Sequence, residues 1–84
     1  MKATQGKGLT GMVLDLRGLK CPLPVLRARK ALERIAPDAL LVVECTDPMA
    51  AIDIPHFVAV NGHSLEGQSA DGAVLSFRIR RRAA

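Results

Sequence analysis

The residue in this sequence best suited to chemistry is Cys21, which lies in the segment Gly18–Pro24 (GLKCPLP). A residue before proline is pushed toward extended backbone, and proline is favoured at the first position of a helix. Cys21 is therefore predicted to be the N-cap of a helix that opens at Pro22. Pro24 falls within the first turn, where a missing N–H breaks no helical hydrogen bond. The pattern predicts a thiol held rigidly at a helix start.

The surroundings of Cys21 in the sequence are basic. Arg17, Lys20 and Arg27 lie nearby, and a helix N-terminus favours negative charge. Both effects lower the pKa of a cysteine below its free value of about 8.5. The two prolines act against this by removing first-turn amide donors. We therefore expect an exposed thiol with a moderately lowered pKa.

An activated thiol serves hydrolysis, dithiol redox exchange, metal binding or the carriage of a transferable sulfur. No second cysteine lies two residues from Cys21, so a dithiol redox motif is missing. Hydrolysis requires an oriented base and a substrate cleft, for which an 84-residue chain with only His56 and His63 has little room. Zinc binding by these histidines with Cys21 and Cys45 would match no common finger spacing, so no metal is expected. A single exposed cysteine best suits covalent acceptance of a group and its onward transfer.

Periodicity places Cys21 between a strand and a helix. Met12, Leu14 and Leu16 alternate with other residues, as on a strand with one buried face. From Pro22 the pattern is helical. Its apolar arc contains Val25, Ala28, Leu32, Ile35 and Ala36, and Pro37 and Asp38 are expected to end it. The continuous apolar run Leu40–Val43 predicts a second strand flanked on both sides in a sheet.

The second half of the chain predicts another helix and two strands. Asp47 followed by Pro48 is a helix start signal, and Asp47 is the expected N-cap. Because proline breaks a helix interior, a short turn over Pro48–Asp53 and a separate piece over Pro55–Val60 are predicted. Asn61 and Gly62 should close the second piece. Strands over Ser64–Gln68 and Val74–Arg80 should be joined by a tight turn at Asp71 and Gly72.

The predicted order is βαβαββ, with a right-handed crossover between the first two parallel strands. This is an α/β two-layer sandwich, in which two helices cover one face of a four-stranded mixed sheet. Cys45 falls on the inward phase of the second strand and is expected to be a buried thiol. Residues 1–11 lack periodicity and are expected to be a flexible leader before a single domain over residues 12–82.

Composition excludes several classes of protein. Eighty-four residues, 49% of them hydrophobic, suffice for one core but not for a dinucleotide-binding domain, a two-domain enzyme or a solenoid. The sequence contains no membrane span or signal peptide, so the chain is expected to be cytoplasmic, with both cysteines reduced. Two phenylalanines are the only aromatic residues, which argues against base-specific nucleic-acid binding.

Charge is distributed in blocks along the chain. Met1–Arg34 has eight basic and two acidic residues, Ile35–Phe77 has six acidic residues and no Lys or Arg, and four arginines follow. Arg27, Lys30 and Arg34 share the polar face of the first helix. This face either docks an acidic partner or a phosphate backbone, or it is simply solvated.

Five segments resemble, in order, those of the TusA (SirA-like) sulfur-carrier proteins, from Leu14 to about Arg81. They are Asp15–Pro24, Arg29–Leu32, Thr46–Pro48, Asp53–Phe57 and Gly62–Leu65. The sequence departs from the family at Asp38, where glycine is frequent, and at Val58, where some members have a second cysteine.

The resemblance implies a βαβαββ fold and a sulfurtransferase without a cofactor. Cys21 would accept a sulfane sulfur from the persulfide of a cysteine desulfurase, hold it as Cys–S–SH, and pass it to a downstream acceptor thiol. Members of the family serve tRNA thiolation to 2-thiouridine, molybdenum-cofactor supply and sulfur oxidation. A monomer is expected.

Other residues are expected to support Cys21. Gly18, Pro22 and Pro24 would shape its turn, and Asp47 should lie at the same sheet edge, where it poises the thiol or caps the second helix. Asp15 is a partner contact or a solvated acid. The alternative function is a non-catalytic module that binds RNA or a regulatory protein. It would use the basic helix face and the C-terminal arginines, with Cys21 only a capping residue.

Overall fold

The computed structural model describes residues 9–83, with side chains from residue 11 onward. Its elements are β1 (Leu9–Leu16), α1 (Leu23–Arg34), β2 (Ile35–Cys45), α2 (Ala50–Val60), β3 (Ser64–Asp71) and β4 (Val74–Arg80). This confirms the predicted βαβαββ order. Residues 1–8 of the predicted leader lie outside the described residues. β1 begins at Leu9 rather than Met12, because backbone pairing with β2 extends beyond the side-chain periodicity.

The four strands form one mixed sheet in the order β1-β2-β4-β3. β1 runs parallel to β2, whereas β4 pairs antiparallel with both β2 and β3. β2 is therefore flanked on both sides, as its apolar run predicts. Because β1 and β2 are parallel, the turn after Leu16 and the turn after Cys45 lie at the same edge of the sheet. That edge carries Cys21.

Both helices pack on one face of the sheet, and the core lies between the two layers. On the inward phase of β2, Leu41, Val43 and Cys45 are fully buried, which confirms the predicted position of Cys45. The helices contribute Ala28 and Leu32 from α1 and Ile54 and Val58 from α2, and β4 contributes Phe77 and Ile79. The opposite face of the sheet is open to water, where Asp15 and Arg78 are exposed.

The first helix is shorter than predicted. It ends at Arg34, and Ile35 and Ala36 begin β2 instead of completing the helical arc. The reason is Pro37, which disfavours helical backbone at the preceding residue, and Ile35 is already extended (φ −85°, ψ 159°). Asp38 then turns the chain with φ +68°, a left-handed conformation that aspartate tolerates better than most residues and glycine adopts freely.

The predicted break at Pro55 is wrong, because α2 is one continuous helix. Pro55 has no N–H to donate to the carbonyl of Ala51, but Ala51 is exposed, so a water molecule can donate to that carbonyl instead. Asn61 and Gly62 do end the helix. Gly62 has φ +77°, and its N–H donates to the Ala59 carbonyl. The N–H of His63 donates to the Val58 carbonyl, which completes a Schellman motif.

Candidate functional site

Cys21 lies on the surface in the connection between β1 and α1, and its side chain is exposed, as predicted. The prediction that it is the helix N-cap is wrong. Pro22 occupies that position, with φ −96° and ψ 14°, and no side chain caps the first turn. A capping side chain accepts from the N–H of the second or third helical residue; Pro24 at the second has none, and no side chain bonds to the third. Cys21 therefore makes no capping hydrogen bond to α1.

The turn that carries Cys21 is tied to the end of β2. Gly18 has φ +87°, a left-handed conformation, and its N–H donates to Thr46 Oγ1 over 2.8 Å. The Cys21 N–H donates to Asp47 Oδ2 over 2.6 Å. These two bonds join the β1–α1 connection to residues that follow the neighbouring parallel strand. The predicted meeting of Asp47 and Cys21 at one sheet edge is therefore observed.

Asp47 also organises the start of the second helix. Its Oδ1 accepts from the Met49 N–H over 3.0 Å, and its carbonyl accepts from the Ala50 N–H over 2.9 Å. α2 nevertheless begins at Ala50, with Met49 in the N-cap position, so Asp47 caps the preceding turn rather than the helix. The N–H groups of Cys21 and Met49 both lower the pKa of Asp47, Cys21 more strongly. One carboxylate thus fixes both connections.

The Cys21 thiol donates a hydrogen bond to Asp53 Oδ2, and the two atoms are 3.1 Å apart. That bond raises the pKa of Cys21, and desolvation and the negative charges of Asp53 and Asp47 add to the shift. The lowered pKa predicted from the sequence is therefore wrong. A carboxylate in direct contact outweighs a helix dipole and cations that lie farther away. In the resting protein the sulfur keeps its proton.

An open cleft of about 410 Å³ adjoins the thiol between the two helices. Besides Cys21 and Asp53, it is lined by Pro22, Val25, His56, Phe57, Val60 and Asn61. The apolar side chains Met49, Ile52 and Val60 are 46%, 64% and 68% exposed; Met49 is the N-cap of α2, Ile52 lies in its first turn and Val60 is its last residue. The thiol therefore opens onto a largely apolar surface with one carboxylate beside the sulfur.

The remaining predicted residues are separate from the sulfur. Arg27, Lys30 and Arg34 are exposed on α1, as its periodicity predicts. Asp15 forms an ion pair with Arg17, with 2.9 Å between Oδ1 and Nε. The side-chain hydrogen bond from Arg17 lowers the pKa of Asp15 to about 2.

The second cysteine is unsuited to exchange. Cys45 is fully buried, and desolvation raises its pKa to about 11. A buried, protonated thiol cannot meet a partner's sulfur, so Cys21 is the accessible thiol of the chain.

Sequence reasoning missed Asp53. A signal was present, since Asp53, His56, Phe57 and Val60 follow the three- and four-residue spacing of one helix face. The predicted break at Pro55 divided that face in two. In the continuous helix these four residues line the thiol cleft together.

Within the described residues, neither helix is long and apolar enough to cross a membrane. The family model described as Sulfurtransferase TusA matches residues 12–81. The sulfur carrier protein TusA of Pseudomonas paraeruginosa is 38% identical over 71 residues, which cover 84% of this chain and 90% of the relative. The TusA protein of Pseudomonas entomophila is 39% identical over 70 residues, covering 83% and 88%.

The fold also has a solved counterpart. The crystal structure of a SirA-like protein from Desulfitobacterium hafniense matches with a TM-score of 0.74 and 24% identity, over 84% of this chain and 97% of that one. The family match spans nearly all of the described residues, including both connections that fix the exposed thiol. The chain belongs to the TusA sulfurtransferase family.

Proposed function

We propose that the protein is a sulfur carrier that holds a persulfide sulfur on Cys21. The observation that carries the proposal is the exposed Cys21 thiol, with its backbone fixed by Asp47 and its proton directed to Asp53. The donor is the persulfide of a cysteine desulfurase, and the acceptor is a thiol of a downstream protein in tRNA thiolation, molybdenum-cofactor supply or sulfur oxidation. The reducing cytoplasm suits such a thiol.

The transfer itself is a thiol exchange without net oxidation. Cys21 Sγ attacks the outer sulfur of the donor persulfide and forms the new S–S bond, while the donor's own S–S bond breaks. The Cys21 proton, which is hydrogen-bonded to Asp53 Oδ2 with 3.1 Å between Sγ and Oδ2, is released to water before the attack, and the departing donor thiolate takes up a proton from water in its place. Onward transfer repeats the exchange with the acceptor thiolate as nucleophile. No cofactor takes part.

Intact mass measurement tests the proposal directly. After incubation with a cysteine desulfurase and free cysteine, the protein should gain the mass of one sulfur atom, which a reductant removes. Cys21→Ser should abolish the gain because it removes the receiving sulfur. Cys45→Ala is the matched control: it removes the buried thiol without burying a hydroxyl, and it should load normally. Loading of Cys21→Ser, or no loading of the wild type, would refute the proposal.

The basic face of α1 is proposed to dock an acidic surface of the donor. Arg27, Lys30 and Arg34 project into solvent on the helix that begins beside Cys21. Opposite charges at the rim of an interface mainly accelerate association. Replacing all three with glutamate should slow loading by at least about tenfold at low salt, with a smaller effect at high salt.

Alkylation of Cys21 by iodoacetamide is the control for this charge reversal. The small reagent does not need the docking surface, so its reaction rate should change far less than the rate of loading. If both rates fall together, the three cations act on the thiol and not on the donor.

A further inference from the structure

A second cavity lies beside the thiol cleft, between the C-terminal half of α1 and the segment that follows β4. Its volume is about 200 Å³, and it shares Phe57 and Asn61 with the cleft. Its charged lining comprises Arg29, Glu33, Arg81 and Arg82. Nothing in the proposed sulfur transfer uses this cavity. Its size is below the roughly 300–1,000 Å³ of pockets for drug-sized ligands, so it suits a small group.

The three arginines of this cavity are not neutralised by ion pairs. Over residues 11–83, the ion pairs are those of Arg17 with Asp15 and of Arg80 with Glu66. Glu33 is the one carboxylate in the cavity lining, which leaves two positive charges in excess. Unpaired guanidinium groups that converge on a concave surface are the usual means of binding oxyanions.

Backbone hydrogen bonds hold two of these arginines in place. Arg81 Nη1 donates to the Ile35 carbonyl, and Arg82 Nη1 donates to the Asn61 carbonyl over 3.0 Å. The main chain of Arg81 is fixed as well, since its N–H donates to the Ala39 carbonyl over 2.9 Å. A guanidinium has five N–H donors, so each of these arginines retains several for a ligand.

His63 adds a neutral donor to the same cavity. Its Nδ1 accepts from the Arg82 N–H over 3.0 Å, so the neutral ring carries its hydrogen on Nε2. Burial lowers the pKa of His63, and the charges of Arg82 and Arg81 lower it further, as expected in a positive local field. The neutral imidazole therefore offers an N–H rather than a competing lone pair on its free nitrogen.

We propose that this cavity binds a phosphate group, held by the guanidinium groups of Arg29, Arg81 and Arg82 and by Nε2–H of His63. A phosphate dianion matches the two excess positive charges and accepts bidentate bonds from arginine. The group is either a free phosphate ion or part of an RNA backbone, which such a site would bind without reading sequence. This site is independent of the sulfur on Cys21.

Inorganic phosphate, added at constant ionic strength against chloride, is the direct probe. Backbone NMR signals of the cavity residues should shift and saturate in the wild type. Arg29→Gln should weaken binding by about tenfold, because one charge-assisted contact is lost. Arg29 is an exposed helix residue with no side-chain hydrogen bond among the described residues, so its replacement should leave the fold intact. Arg82→Gln is the second variant.

Arg78→Gln is the matched control, because it removes the same charge from the open face of the sheet and should bind phosphate as the wild type does. A short polyuridine oligonucleotide distinguishes the two sources. If inorganic phosphate displaces the oligonucleotide and Arg29→Gln weakens oligonucleotide binding, the site binds backbone phosphate. If inorganic phosphate binds but the oligonucleotide does not, the free ion is the ligand. Absence of saturable phosphate shifts, or equal binding by Arg29→Gln and wild type, would overturn the site.

Discussion

The hydrogen bond from Cys21 to Asp53 determines how the thiol behaves before a partner arrives. A thiol that donates to a carboxylate is harder to ionise, and only the thiolate attacks sulfur or alkylating agents. The resting protein is therefore less reactive than its exposed cysteine suggests. A protein that transfers sulfur between chosen partners benefits from this, because small oxidants also react with the thiolate.

Replacing Asp53 with asparagine tests this restraint. Asp53→Asn keeps the size of the side chain but removes the negative charge, so the pKa of Cys21 should fall. The rate of iodoacetamide alkylation, followed against pH, should reach half its maximum at a lower pH than in the wild type. At neutral pH the variant should react faster.

Asp71→Asn is the control for the charge change, since Asp71 is an exposed carboxylate at the end of β3, in the hairpin with β4. It should leave the pH profile of alkylation unchanged. If Asp53→Asn has the same profile as the wild type, the contact with Asp53 does not govern the thiol.

The sequence identified the exposed thiol but not the sign of its pKa shift. Proline spacing and periodicity are local, and they placed Cys21 correctly between a strand and a helix. The shift depends on Asp53, which is 32 residues away and reaches the sulfur only through the packing of α2. Charge counted along the chain emphasised nearby cations, whereas the nearest charges in space are carboxylates.

At the level of elements, the β1–α1 connection depends on Gly18. Its φ of +87° lies in the left-handed region, and a Cβ there would meet no atom within 4 Å. Gly18→Ala should therefore lower the free energy of unfolding by about 1–2 kcal/mol through backbone strain alone. Urea unfolding measures this.

Gly67→Ala is the matched control for that substitution. Gly67 lies in β3 outside the left-handed region, and an added Cβ would make an ordinary 3.5 Å contact with Arg78 Cδ. The stability should change by less than about 0.5 kcal/mol. Equal losses for both variants would show that backbone conformation at Gly18 is not the cause.

Prolines account for the errors in predicting the end of α1 and the continuity of α2. Pro37 ends α1 two residues earlier than its apolar arc indicates, because it acts on the residue before it. Pro55 was expected to divide α2, yet the helix continues, because Ala51, whose carbonyl loses its helical donor, is exposed to water. The strands and the core were predictable because the continuous apolar run of β2 and the alternation along β4 both indicate burial, as at Val43 and Phe77.

Acid should destabilise the whole molecule in two stages. Burial, then Arg82 and Arg81, hold the pKa of His63 below its usual 6.5, so the folded state binds fewer protons there than the unfolded chain. Stability is therefore highest above pH 6.5 and falls as pH drops below it. Asp15, Asp47 and Glu66 also have lowered pKa values, so a further loss should begin near pH 4 and, for Asp15, continue to about pH 2.

Urea unfolding at pH 7.5, 5.5 and 3 checks the acid prediction. His63→Asn keeps an acceptor for the Arg82 N–H but cannot titrate, so it should remove most of the loss between pH 7.5 and 5.5. The loss of stability below about pH 4 should remain in this variant. Salt should make that loss smaller, because Asp15, Asp47 and Glu66 interact with their partners at the surface. Stability that rises on acidification would contradict the assignment.

The bonds that restrain Cys21 come from residues 26 and 32 positions farther along the chain, so they exist only after β1, β2 and α2 have assembled. A newly made or damaged molecule lacks them, and its thiol regains ordinary acidity. Misassembled copies would consequently be the first to suffer irreversible oxidation. Correct folding is thus what protects the Cys21 thiol from oxidation, because Asp53 reaches the sulfur only in the assembled structure.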